Sequence, residues 1–174
     1  MKRNVVAALL GLAILGGTAF GQASIQFSNY GGNPVAWTSN VALAPAGEAG
    51  SLVSASDNFK VDLQWQYGTL NGDAHLAVPV GTPYGPGYFA GCNVIPSPPL
   101  SPGLQVTFTV LAWNGADFAT SSATGSVSWS QVVGPAGNAL NMPTLTVQLV
   151  PEPSVIGLGT LGGFALLQVR SRRG

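Results

Sequence analysis

His75 is the single histidine and Cys92 the single cysteine of this 174-residue chain, so imidazole or thiolate chemistry must use one of these two side chains. A Ser-His-Asp triad would have to gather around Asn71-Gly72-Asp73-Ala74-His75, which reads as a turn, and a Cys-His dyad would need Cys92 to reach His75. No Gly-x-Ser-x-Gly string is present to form a nucleophile elbow. A solvated turn histidine is the expected state of His75. Glycoside hydrolysis needs two carboxyl groups on one cleft, but Asp57 and Asp62 are odd-spaced and fall on opposite faces of any strand that holds both. Asp57, Asn71, Asp73 and Asp117 could reach a calcium ion from loops, yet no EF-hand spacing exists. The inventory predicts no catalytic residues, no metal site and no cofactor, hence no enzyme. Cys92 has no internal disulfide partner and is expected to be a small buried residue.

The aromatic residues are the more promising set, because exposed rings can stack on sugar rings. Trp65 and Trp129 lie in phase with Val61, Leu63 and Val127, which assigns them to the core. Trp113 is out of phase with Val106, Phe108 and Val110 and is predicted to be an exposed platform, with Tyr84 and Tyr88 of a Gly-Pro loop beside it. The hydroxyl-rich residues 120–130 could accept O-linked sugars or simply form a polar strand face.

The elements that position these groups are strands. Val61, Leu63, Trp65 and Tyr67 alternate with Lys60, Asp62, Gln64 and Gln66, the period-two pattern of a half-buried strand. Ile25 and Phe27, then Val106, Phe108 and Val110, then Val127 and Trp129, then Leu145, Val147 and Leu149 repeat it. Shorter strands are expected at residues 35–38, 76–80 and 88–95. Asn71-Gly72 and Asn114-Gly115 are predicted to supply positive-φ turn residues. Seven prolines from Pro79 to Pro102 exclude helix there. The prediction is an all-β fold, an antiparallel β-sandwich of about seven to eight strands, with a β-barrel as the alternative.

Only 7% of the residues are charged, and of the six basic ones only Lys60 lies between the two ends. A domain carrying Glu48, Asp57, Asp62, Asp73 and Asp117 against Lys60 offers no cationic face to a phosphate backbone, which argues against nucleic acid as a partner. The basic residues gather at the tips instead. Lys2 and Arg3 precede an apolar run from Val5 to about Leu15 and small residues through Gly21, the layout of a signal peptide over residues 1–23. Cleavage is expected after Gly21 or Ala23 by signal peptidase, following passage through the Sec translocon. Residues 24–149 form the β domain. At the other end residues 150–174 begin with Val150-Pro151-Glu152-Pro153, continue as an apolar stretch over residues 154–169, and close on Arg170, Arg172 and Arg173. As a helix that stretch would span about 24 Å against a hydrocarbon core of about 30 Å. It is a short transmembrane helix whose basic end, residues 170–174, stays cytoplasmic.

Pro151-Glu152-Pro153, the Gly-rich apolar run and the terminal Arg cluster together resemble the PEP-CTERM sorting signal of Gram-negative bacteria. The resemblance covers about the last 25 residues. It implies recognition by an exosortase, a multi-pass membrane protease with a cysteine nucleophile, and export to the cell surface or extracellular polymer matrix. The motif residues Pro151, Glu152 and Pro153 would be what the protease reads, and the membrane helix a transient anchor. The segment from Gly87 to Gly91, followed by a proline-bounded loop and the strand ending Ala112-Trp113-Asn114, also resembles a body that recurs in front of such tails. That body implies a fold and no activity. The expected function is a structural or adhesive surface protein associated with exopolysaccharide or biofilm. A carbohydrate-binding module is the alternative, and a secreted hydrolase the less favoured one.

Overall fold

The computed structural model describes residues 22–151 apart from residue 136. Residues 1–21 of the expected signal peptide, the apolar stretch 154–169, Glu152, Pro153 and the Arg cluster lie outside the described residues. Among the described residues no helix is long and apolar enough to cross a membrane.

The chain is all-β, with ten strands in two sheets among the described residues. The small sheet has the order β6-β1-β9, formed by β1 (Ile25–Ser28), β6 (Ala90–Val94) and β9 (Asn138–Ala139). The large sheet has the order β2-β10-β8-β7-β3-β4, with β5 also paired to β3. Its strands are β2 (Val35–Trp37), β3 (Lys60–Tyr67), β4 (Leu70–Asp73), β5 (Val78–Pro79), β7 (Gln105–Trp113), β8 (Ala123–Val132) and β10 (Leu145–Leu149). Neither sheet closes into a barrel, which removes that alternative. Two pairings are parallel, β1 with β9 and β2 with β10, so the sheets are mixed where an antiparallel arrangement was expected. Alternation within a strand fixes which face is buried but carries no information about the direction of the neighbour.

Register explains the core. Trp65, Phe108 and Trp129 lie abreast across β3, β7 and β8; Leu63, Val110 and Val127 form the next row, and Val61, Ala112 and Gly125 the one after. These rows join Ile25, Phe27, Val94, Phe59 and Phe89 in one apolar cluster that draws on both sheets. Burying a side chain of this size fully contributes about 1.5–3 kcal/mol. Trp65 is buried, and Trp129 is half-buried with its ring 5.8 Å from that of Phe108. Tyr67, on the same phase, is left exposed at the strand end.

On the opposite face Gln66, Thr107 and Ser130 form one row and Gln64, Thr109 and Ser128 the next. The hydroxyls meet across strands, Thr107 with Ser130 at 3.1 Å and Thr109 with Ser128 at 2.7 Å. The hydroxyl-rich stretch is thus a polar strand face.

Two expected turns differ. Asn71-Gly72 lies inside β4, and the hairpin turns at Gly68-Thr69, where Gly68 takes φ +58. Gly72 is required for another reason: a Cβ there would sit 2.2 Å from the buried Trp65 ring. Neither Asn114 nor Gly115 has positive φ; the Asn114 side chain instead accepts the Ala123 N–H at 3.0 Å and closes the loop between β7 and β8.

Candidate functional site

The outward face of β1 presents Gln26 and Ser28, while Ile25 and Phe27 point into the core. Beyond the strand, Asn29-Tyr30-Gly31-Gly32-Asn33 turns back, with Gly31 at φ +82 and the Gly32 N–H donating to Asn29 O at 2.9 Å. Tyr30 stands at the tip of this turn, 65% exposed.

A second segment, residues 81–89, meets that turn and is fixed to it by one buried side chain. Asn29 is 3% exposed. Its Nδ2 donates to Gly87 O at 2.9 Å and to Asn33 O at 3.0 Å, and its Oδ1 accepts the Phe89 N–H at 2.7 Å. Gly87, at φ +79, passes so close to Val35 O that a Cβ would lie 2.9 Å from it. Ser28 adds a bond from its hydroxyl to Phe89 O at 3.1 Å. These contacts bring three rings together: Tyr84 lies 4.5 Å from Tyr30 between centroids, and Tyr88 packs edge-on at 6.3 Å. Tyr84 is 44% exposed and Tyr88 is half-buried.

Beside the rings, the outer face of β1 and β6 forms a groove of ≈ 430 Å³, lined by Gln26, Ser28, Tyr30, Tyr84 and Asn93 together with Cys92. The cysteine is exposed, against expectation. β6 offers little to bury at that point, because Gly91, Cys92 and Asn93 are all exposed and only Val94 is buried. Tyr84 and Tyr88 are therefore brought together, and Trp113 is not with them. Trp113 faces away from the apolar cluster as its phase implied, but it is only 7% exposed and offers no platform. In register it lies between Lys60 and Thr124, and the Lys60 ammonium donates to Gly115 O at 3.2 Å in the adjoining loop. Tyr30 is not legible in the sequence, because a lone aromatic in a Gly- and Asn-rich turn carries no periodic signal. The string Asn29-Tyr30-Gly31-Gly32-Asn33, a tight turn forced to expose its ring, was the available clue.

The acids divide differently from expectation. Asp57 belongs to a short 3-10 turn, and its carboxylate accepts the Ser54 N–H at 2.7 Å. Asp117 accepts the Thr120 hydroxyl and N–H, both at 2.9 Å, and these bonds hold its carboxyl below the usual carboxylate range. Asp62 occupies the polar phase of β3 yet is 6% exposed. The neighbouring edge changes there from β4 to β5, leaving residues 74–77 without ladder pairing, and Asp62 patches the gap. Its Oδ1 accepts the Leu63 N–H at 2.8 Å and the Leu76 N–H at 2.7 Å.

The Asp62 and Asp73 carboxyls influence each other's protonation. Burial, with Asp73 beside it, pushes the Asp62 carboxyl up to about 6. Burial also raises Asp73, but the neighbouring Asp62 carboxyl, together with hydrogen bonds from the His75 N–H and the Gln64 amide, outweighs it and leaves Asp73 below its usual range. His75, at φ +51, is exposed with Nδ1 3.3 Å from Asp73 Oδ1. Asp62, the member that holds its proton to higher pH, is enclosed and engaged by two backbone N–H groups, which makes it a structural clasp. Among the described residues no hydrogen bond joins His75 to Cys92, and no three His, Cys, Asp or Glu side chains gather to hold a metal ion.

The groove under the tyrosines is uncharged and lined by an exposed ring, amides and hydroxyls that could meet a ligand. Compared with protein families, curated proteins and solved structures, the chain matches none.

Proposed function

We propose that this chain is an exported, non-enzymatic protein of the cell surface or extracellular matrix, built as a two-sheet β-sandwich and sorted by its C-terminal segment. The observation that carries this reading is the order of segments: a signal-like N-terminus, a β domain, Pro151-Glu152-Pro153, an apolar run, and Arg170, Arg172 and Arg173. On this reading signal peptidase, the Sec translocon, an exosortase and, transiently, the membrane are its partners. The position of the motif fits. The chain is hydrogen bonded through Val150, whose N–H donates to Ser122 O at 2.8 Å, and Pro151 is exposed directly after it.

The fold also favours one of the two signal-cleavage points. Ala23 is fully buried and its N–H donates to Leu100 O at 3.0 Å, while Gln22 Nε2 donates to Pro96 O at 2.9 Å. Cleavage after Gly21 keeps both anchors, and cleavage after Ala23 removes them. Immunoblots of fractionated cells should find the protein in the envelope or medium without its tail, and intact-mass measurement should start it at Gln22. A full-length cytoplasmic product would refute the export reading.

A second reading, carbohydrate binding, is favoured by the Tyr30, Tyr84 and Tyr88 cluster. Tyrosine presents an apolar ring face and a polar tip, which suits a sugar's own mixed surface.

A further inference from the structure

Tyr30 stands between two concavities on the outward face of the small sheet. The larger, ≈ 430 Å³, opens toward β6, where Asn93 and Tyr84 line it. The smaller, ≈ 210 Å³, opens toward β9, where Asn141 lines it. Gln26 and Ser28 of β1 belong to both. No acidic or basic side chain lines either one.

We propose that this double groove binds an uncharged polysaccharide chain, with one sugar unit in each concavity and Tyr30 as the exposed ring between them that the chain packs against. The inference rests on the carbohydrate-binding reading above and adds the site, its central residue and the charge class of the ligand. Sugar hydroxyls donate and accept together, and the Gln26, Asn93 and Asn141 amides and the Ser28 hydroxyl do the same. An anionic polymer would bring carboxylates or sulfates into a groove with no cation to pair them, and their lost hydration would go uncompensated. The rings are held in advance: the Asn29 bonds fix both segments that carry them, so ligand binding orders little that is not already ordered. Tyrosine loses only two side-chain torsions on stacking. The two concavities flank Tyr30 on a single sheet face, the geometry for an extended chain instead of a single monosaccharide.

Affinity electrophoresis of the mature protein through gels containing dextran, hydroxyethyl cellulose or galactomannan, with alginate as the anionic comparison, tests this. Retardation is expected in at least one neutral gel and none in alginate. Tyr30→Ala should weaken that retardation about tenfold or more, and Tyr84→Ala should weaken it less. Tyr67→Ala, on an exposed ring at the end of β3, should leave it unchanged. Unchanged urea midpoints would show that the variants are folded. Alkylation of the exposed Cys92, which lines the larger concavity, should slow in the presence of the retarding polymer. Retardation by alginate alone, still dependent on Tyr30, overturns the uncharged ligand and leaves carbohydrate binding standing. Neutral retardation that survives both tyrosine substitutions overturns the site. No retardation in any gel overturns the inference and the carbohydrate reading together.

Discussion

Asn29→Ala should destabilise the protein by about 4 kcal/mol, the larger of the two greatest effects expected here. The substitution removes three hydrogen bonds made by one side chain that is almost completely enclosed. Gly87 O keeps another donor, the Val35 N–H at 2.8 Å, but the Phe89 N–H loses its partner beside the Phe27 and Phe89 rings, which lie 4.8 Å apart. An orphaned buried group costs about 1–3 kcal/mol, and the remaining lost bonds about 1 kcal/mol each. Urea titration should show a lower midpoint with an unchanged slope. Asn29→Asp separates hydrogen bonding from shape. Its carboxylate keeps the acceptor for Phe89 but turns a second oxygen toward Gly87 O and Asn33 O. That variant should be at least as unstable near neutral pH and recover in acid, where a protonated carboxyl donates again. Equal stability of wild type and Asn29→Ala would mean that the two segments are held by something else.

The second large effect is a pH dependence set by Asp62. Its folded-state pKa of about 6 lies above the ordinary value of 3.8, so between these values the folded state binds the extra proton. Unfolding free energy therefore falls as pH rises through this window. From about pH 4.5 to about pH 7.5 the loss from this group is roughly 2 kcal/mol. Asp73 acts with the opposite sign. Its lowered pKa contributes stability that is present above 3.8 and lost as the pH falls through its folded value. Stability should peak on the acid side of neutrality, between the two titrations. Asp62→Asn preserves an oxygen for the Leu63 and Leu76 N–H groups while removing the titration. Its stability relative to wild type should rise by about 2 kcal/mol between about pH 4.5 and about pH 7.5. Parallel profiles for the two proteins would show that Asp62 is not the titrating group.

Strand existence was legible wherever the period was long: residues 60–67, 105–110 and 145–149 are strands with the expected faces inward. What escaped was set by neighbours. β4 was hidden because Gly72, which reads as a turn residue, is there to admit the Trp65 ring. Asp62 follows the polar phase of its strand and is buried only because the adjoining edge changes from β4 to β5. Trp113 obeyed its phase too, since facing away from one core does not decide what lies above the other face. Of the site, Tyr84 and Tyr88 were within reach because a Gly-Pro loop exposes what it carries. Tyr30, Gln26 and Asn93 come from segments that meet only through the pairing of β1 with β6, and nothing local announces that meeting.

The last strand has a mechanical consequence. β10 runs between β8, to which it is antiparallel, and β2, to which it is parallel, and it leads straight to Pro151. A pull applied at Pro151 acts along the axis of β10, across the perpendicular bonds of its antiparallel ladder with β8 and the slanted bonds of its parallel ladder with β2. Such a load shears the rungs on both sides together instead of peeling them one at a time. A chain held by its C-terminal end would thus be loaded through β10 in the large sheet, while the tyrosine groove lies on the small one.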